Sequence, residues 1–525
     1  MELVANFGEI RTNHWHMGLD IRTQQRIGLP VYAAADGFIS RVVVEPGGFG
    51  QAIYIDHPNG YTTLYAHLNA FMPALDQYVK QKQYELESWR VNLILPPNLF
   101  PVKKGTFIAY SGTTGGSQGP HIHFEIRDTK TGNVLNPLLF KFPIPDNVRP
   151  TISRLALYDR SKSTYDQSPQ MLPLKNLGSY YSVQNLVKVG TRRISFAVDA
   201  VDRFTGTPNP NGIYSAEVFV DGKSISGFVL DDISYDDSRY INAQLDYPFK
   251  ARKGGDLQHI TPLPGAKHVA YHFTNDDGVI ELNDDDPHDV VIEVKDAAGL
   301  KSTVRLRVQY DESLAKPYKP FEGERFLPLN LNIFETDDFE LFTTEATVYD
   351  TINVSFKREE NKTEGAVSPL FTFVGSHIPV HDNVTVRIRV QDVPEEFKNR
   401  VVIKNVSGTR VSVSRAVWKN DKVSAKFRQF GTYQAFIDAE PPTINNPPAS
   451  LSKATRIVFT PKDNFDVIRS FRAELNGRWL RFTNDKGKNW IYTFDEHFPR
   501  GTHELTVTIE DEAGNVTTKT WTVTR

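Results

Sequence analysis

The stretch Gly119-Pro120-His121-Ile122-His123-Phe124-Glu125 places two imidazoles one residue apart. Ile122, Phe124 and Ile126 favour an extended strand, and residues two apart on a strand point to the same side, so His121 and His123 face one space. Such a pair either holds a metal with partners from elsewhere or decorates a wet strand face. Candidate partners stand near the start of the chain, where His16-Met17-Gly18-Leu19-Asp20 offers an imidazole and a carboxylate, both good zinc ligands. Gly18 is expected to let the backbone turn tightly enough to aim both at one ion, and His14, two residues before His16, is a rival for the same face. His67 follows the alternating run from Gly60 to Ala66; taken alone, a histidine in that apolar setting reads as a core or rim residue.

The elements that must position these groups read as short strands. Pro30 to Ala34, Gly37 to Glu45 and Gln51 to Asp56 are separated by the turn signals Asp36-Gly37 and Pro46-Gly47-Gly48-Phe49-Gly50, which predicts an antiparallel meander. Gly105 to Ser111 is a further strand, running into a glycine-rich loop that delivers the chain to His121. That loop lacks a following Lys-Ser/Thr and a helix start, which argues against a phosphate cradle. The gap between His67 and His121 is about 25 residues longer than a hairpin connection needs. In this insert, about 70–101, the spacing of Leu75, Tyr78, Val79, Leu86 and Trp89 predicts a helix, with Lys82 out of pattern. The helix either covers a sheet edge or takes part in substrate selection.

The whole chain sets outer bounds. Its 525 residues, 39% hydrophobic and 23% charged, are ordinary globular material and, at roughly 100–200 residues per domain, predict about three to five domains. A formal charge of −3 with both signs interspersed gives no global field for nucleic acid or an anionic membrane. The absence of cysteine excludes disulfides, thiolate metal sites and cysteine nucleophiles, so any metal must sit on His, Asp or Glu. No run of about 18 apolar residues predicts a transmembrane helix. Met1 to Ile10 lack a basic segment followed by an apolar one, and domain sequence begins already at Phe7-Gly8-Glu9-Ile10, so an export leader is expected to have been removed or left out.

His16-x-Gly18-x-Asp20, Tyr65-Ala66-His67-Leu68 and Gly119-Pro120-His121-Ile122-His123-Phe124, in this order, resemble the lysostaphin/LytM-type zinc metallopeptidases. The resemblance covers about residues 5–142, including Ser111-Gly112-x-Thr114-Gly115 and Asn136-Pro137, and defines a domain over 1–145. It implies a small antiparallel β-fold with an open groove, in which His16, Asp20 and His123 bind one Zn2+ while His67 and His121 are catalytic without binding it. The implied activity is endopeptidase cleavage of peptidoglycan cross-links or stem peptides through a metal-activated water, in the periplasm or cell envelope. The alternative, from another class, is a catalytically silent envelope scaffold that binds or activates another cell-wall hydrolase; metal content separates the two.

Beyond the proline-rich boundary Phe142 to Pro150, alternating strands at short intervals predict β-sandwiches. Val290 to Gly299 is echoed by Leu505 to Gly514, each a strand running into an Asp-x-Ala-Gly turn and then a second strand. These endings resemble bacterial immunoglobulin-like domains and place sandwiches at 146–312 and 441–525, with a β-rich region of unassigned fold at 313–440. The class is therefore mainly β, and the C-terminal sandwiches are expected either to seat the peptidase on the wall or on envelope proteins or to act as spacers. Asp231-Asp232, Asp236-Asp237 and Asp284-Asp285-Asp286 are expected to be solvated loops, and His259, His268 and His272 surface residues.

Overall fold

The computed structural model describes residues 2–525 except 267, 269, 318, 320, 361 and 362. It is mainly β, as expected. The N-terminal unit is built on one antiparallel sheet whose strands run in the order Leu3–Ala5, Leu19–Arg22, His121–Asp128, Tyr61–Ala66, Gln51–Asp56, Gly37–Val44 and Val91–Ile94. One face, with Ile122, Phe124 and Ile126, packs with Ile53, Ile55, Tyr65 and Leu68 into a closed core. Alternation then puts His121, His123 and Glu125 on the opposite face.

The expected meander exists over Gly37–Val44, Gln51–Asp56 and Tyr61–Ala66, but the 30–34 segment does not join it. Its strand, Pro30–Tyr32, pairs with Phe107–Ser111 in a separate three-stranded sheet, because the turn at Asp36-Gly37 swings the chain from one sheet to the other. In the insert, the helix spans Pro73–Glu85 and buries Leu75 and Val79. It is followed by Val91–Ile94 and Pro101–Val102, both paired with Gly37–Val44, so the insert covers the edge of the main sheet.

Past residue 145 three further layered cores follow. Residues 151–310 form two sheets around Phe196, Val198, Val218, Ile292 and Val304. Two five-stranded sheets, from Ile333 to Ile437, enclose a phenylalanine-rich core with Phe339, Phe371 and Phe373. The last unit packs a four-stranded sheet against a two-stranded one around Phe459, Tyr492 and Ile509. The expected surface cluster of histidines is not one. His259 is 1% exposed against Tyr158, and His268 is 8% exposed among Trp15, Tyr240 and Tyr271, since aromatic rings can surround an imidazole that stays neutral; only His272 reaches solvent.

The N-terminal unit does not end at its own core. Phe7, Trp15, Met17 and Val134 belong to the core of the first sandwich, and the Val134–Leu135 strand pairs with both His121–Asp128 and Asp232–Ile233. The C-terminal unit folds back onto the same body: Lys80 Nζ lies 3.0 Å from Asp495 and from Glu496, and the Tyr84 ring stacks on His497 at 3.7 Å.

A protein truncated after residue 145 would expose Phe7, Trp15 and Met17, each worth on the order of 1.5–3 kcal/mol when buried. It is expected to melt well below the full chain and to aggregate, which differential scanning fluorimetry and light scattering would show.

Candidate metal centre

The register of two strands builds the centre. His123 on His121–Asp128 pairs directly with Asp20 on Leu19–Arg22. His16 precedes Asp20 by one tight connection through Gly18. Gly18 does not take a left-handed backbone, which corrects the expected reason for it: a Cβ there would lie 2.5 Å from the Phe124 carbonyl oxygen and 2.9 Å from the His123 ring. The position needs glycine because two strands approach closely, and not because the chain must turn.

Three ligand-type atoms converge. His16 Nε2 is 2.9 Å from His123 Nδ1, and each lies 3.0 Å from Asp20 Oδ1. The outward nitrogens fix which ring atoms carry protons. His16 Nδ1 is 2.7 Å from the Asn6 carbonyl, which only accepts, so it donates there. His123 Nε2 is 2.8 Å from Glu125 Oε1 and donates in the same way. With the imidazoles neutral, two nitrogen lone pairs and a carboxylate oxygen therefore face one another in a buried space, an arrangement that a cation stabilises and that repels itself without positive charge. The acid–base chemistry agrees. Burial disfavours the charged form of His123, yet its contacts with Asp20 and Glu125 outweigh burial and push it up to about 9. Burial likewise pushes Asp20 upward, and the surrounding histidines reverse this and hold its carboxyl far below the usual range. The residue types and the spacing fit a metal ion, and His16, Asp20 and His123 form a group able to hold one.

Two further imidazoles flank the cluster. His121 Nδ1 donates to the Gly119 carbonyl at 2.8 Å, leaving Nε2 3.3 Å from Asp20 Oδ1. His67 Nδ1 donates to the Thr114 carbonyl at 2.8 Å, and its ring centroid is 4.8 Å from that of His121. Burial, reinforced by the neighbouring histidines, lowers His67 to about 3, so its ring is neutral near pH 7. His67 also holds a left-handed backbone, φ 59°, between two strands, a conformation that residues other than glycine adopt at some cost. His14 stays outside the cluster: it is exposed and bonds the Thr12 carbonyl.

The residues that sequence reasoning missed sit one layer further out. Glu125 is fully buried and takes, besides His123, the Arg127 guanidinium and the Tyr235 hydroxyl. Period-two alternation from His123 points to Glu125, but nothing in the sequence points to Tyr235, which comes from the first sandwich. Asn6, whose carbonyl orients His16, is gripped through its side-chain amide by Gly212 of the same sandwich, at 2.9 and 2.8 Å. The loop that orients His67 and His121 is held from the far end of the chain: Gly115 N donates to Asp485 at 2.7 Å, and Lys486 Nζ donates to the Ser117 carbonyl at 2.8 Å.

Residues 14–84 match the family described as peptidase family M23, residues 325–438 a Zu5-like domain and residues 453–524 a bacterial Ig-like domain. Among curated relatives, a DD-carboxypeptidase/endopeptidase Mpg from Neisseria meningitidis is 35% identical over 137 residues, 26% of this chain and 25% of the relative. An uncharacterized metalloprotease from Haemophilus influenzae is 36% identical over 128 residues, 24% of this chain and 21% of the relative. The peptidoglycan DD-endopeptidase ShyB of Vibrio cholerae is 34% identical over 111 residues, 21% of this chain and 20% of the relative. The chain thus spans a quarter or less of the length of these relatives. It carries a peptidase family M23 domain at its N-terminal end and a bacterial Ig-like domain at its C-terminal end.

Glu125→Gln should weaken metal affinity by about 10–100-fold, because a partner of a ligating histidine is degraded. Tyr235→Phe should shift it less in the same direction. Competition with a chromogenic chelator reads both.

Proposed function

We propose that this protein is a zinc-dependent endopeptidase that hydrolyses peptide bonds in peptidoglycan cross-links or stem peptides, in the periplasm or cell envelope. The carrying observation is the convergence of His16 Nε2, His123 Nδ1 and Asp20 Oδ1 within 2.9–3.0 Å, each imidazole's proton directed outward. Zinc is the ion such a donor set takes, and two nitrogens with one carboxylate are three protein ligands, the number that leaves a position for water or substrate. The names of the relatives support the substrate class, two of them being DD-endopeptidases or carboxypeptidases and one acting on peptidoglycan.

When bound, the ion supplies Lewis-acid polarisation of a carbonyl and makes water a stronger acid. The residues of the chain do the rest. His121 is the general base: its Nδ1–H is fixed on Gly119, so the Nε2 lone pair beside the cluster is free to take a proton from water. His67, with Nδ1–H fixed on Thr114, is neutral and must gain a proton at Nε2 before it can donate to a departing amine. Its ring centroid lies 4.8 Å from that of His121, on the same side of the cluster. The complete set of His16, Asp20, His67, His121 and His123 supports the peptidase over the silent scaffold, and metal content separates the two. No helix among the described residues is long and apolar enough to cross a membrane.

His123→Ala should lose both zinc and cleavage of purified peptidoglycan. His121→Ala should keep zinc, measured by mass spectrometry of the intact protein, and lose about 10²–10⁴-fold in rate. Muropeptide analysis by mass spectrometry names the bond. Normal turnover in His123→Ala would refute the assignment.

A further inference from the structure

A second group of carboxylates lies where the N-terminal unit hands over to the first sandwich. Asp146 comes from the linker, Asp202 follows the Arg193–Val201 strand and Asp296 follows the His288–Lys295 strand, and each brings an oxygen within 4.8 Å of the other two. Proximity of acids is common and by itself means little. Here two of the three are almost fully enclosed, Asp202 at 1% and Asp296 at 2% exposure, and Asp202 Oδ1 and Asp296 Oδ2 are buried without any hydrogen-bond partner. A buried carboxylate oxygen without a donor costs several kcal/mol, and two close together repel.

The chain contains its own comparison. At the following Asp-x-Ala-Gly turn, Asp438, Asp463 and Asp511 form a triad from equivalent places. There, asparagines satisfy two of the three carboxylates: Asn515 donates to Asp511 Oδ1 through its backbone, at 2.8 Å, and to Oδ2 through its side chain, at 2.9 Å, and Asn464 donates to Asp438 at 3.0 Å, so that one buried oxygen, Asp463 Oδ1, is left without a partner where the first triad has two. In the first triad, Leu300 stands where Asn515 stands in the second. Its backbone N–H makes the matching bond to Asp296 Oδ1 at 2.9 Å, but its side chain has no donor for Oδ2. Arg203 takes the place after Asp202 that Asn464 takes after Asp463; its charge acts on Asp202, yet no Lys or Arg of the described residues forms an ion pair with Asp202 or Asp296. Burial, and then the neighbouring acids, push Asp202 up to about 7, and burial pushes Asp296 up to about 6.

We propose that Asp146, Asp202 and Asp296 bind one calcium ion that joins the linker to the first sandwich. All the side-chain donors are oxygens, with no imidazole or thiolate, which selects a hard cation, and the loose, linker-borne geometry suits calcium over the strict octahedron of magnesium. At Asp296 the ion does what the Asn515 side chain does at Asp511 in the second triad.

The test uses the full chain with zinc kept constant. Wild-type protein dialysed free of calcium should take up one calcium per chain by isothermal titration calorimetry, in the range of about 10⁻⁴–10⁻³ M or tighter, and its melting temperature should rise with calcium. Asp202→Asn should bind at least about tenfold more weakly, since one of three charges is gone. Should that variant fail to fold, Leu300→Asn decides: by supplying the missing amide it should raise the calcium-free melting temperature and blunt the calcium-dependent rise. No uptake by the wild type, an equal response to magnesium, or unchanged calcium responses in Asp202→Asn and Leu300→Asn would each overturn the proposal, the first leaving a shared proton as the stabilising charge.

Discussion

Three ligand-type atoms, His16 Nε2, His123 Nδ1 and Asp20 Oδ1, lie within 3.0 Å of one another in a buried space that calls for a positive charge, a proton on His123 or a metal ion. Everything around them is arranged to hold them there. Each imidazole is prevented from rotating its lone pair away because its other nitrogen is bonded outward, to Asn6 and to Glu125. Those partners are held in turn by Gly212 and Tyr235, which belong to the adjoining sandwich. The two flanking histidines follow the same rule, bonded to carbonyls of the 112–119 loop, and the C-terminal unit grips that loop through Asp485 and Lys486. The sandwiches are thus a third layer around the centre, beyond ligands and their direct partners.

Such an arrangement explains why the units do not separate cleanly. A cluster of ligand atoms held this close needs rigid walls, and a single sheet with one free edge and one open face supplies few of them. The neighbouring core takes in Phe7, Trp15 and Met17, the last two directly on either side of His16, so the segment bearing His16 is anchored by burial in the sandwich. The opposite edge of the sheet is closed by the insert's strands, and its helix meets the C-terminal unit.

Much of the centre was legible in the sequence because its logic is local. Period two on one strand places His121 and His123 together, and a second short motif supplies Asp20 and His16; the strand register His123 to Asp20 then does the rest, and a one-residue slip would turn His123 to the opposite face. The mainly β class followed from alternation in the same way. What was not legible depends on contacts between residues far apart in sequence. Tyr235 lies 110 positions from Glu125, and Asp485 lies 370 from Gly115. The acidic runs are visible because they are contiguous, whereas the triad joins Asp146 of the linker with Asp202 and Asp296 from two separate strand ends. His259 and His268 read as surface residues because no local pattern announces the aromatic walls that enclose them.

The most direct measurement is a crystal structure of the zinc-loaded full chain, with anomalous scattering collected at the zinc edge. The account predicts one peak, at about 2.0–2.2 Å from His16 Nε2, His123 Nδ1 and an Asp20 oxygen, with His121 and His67 off the ion. A peak bonded to His121, or to His14 in place of His16, or no zinc at this cluster, would contradict it.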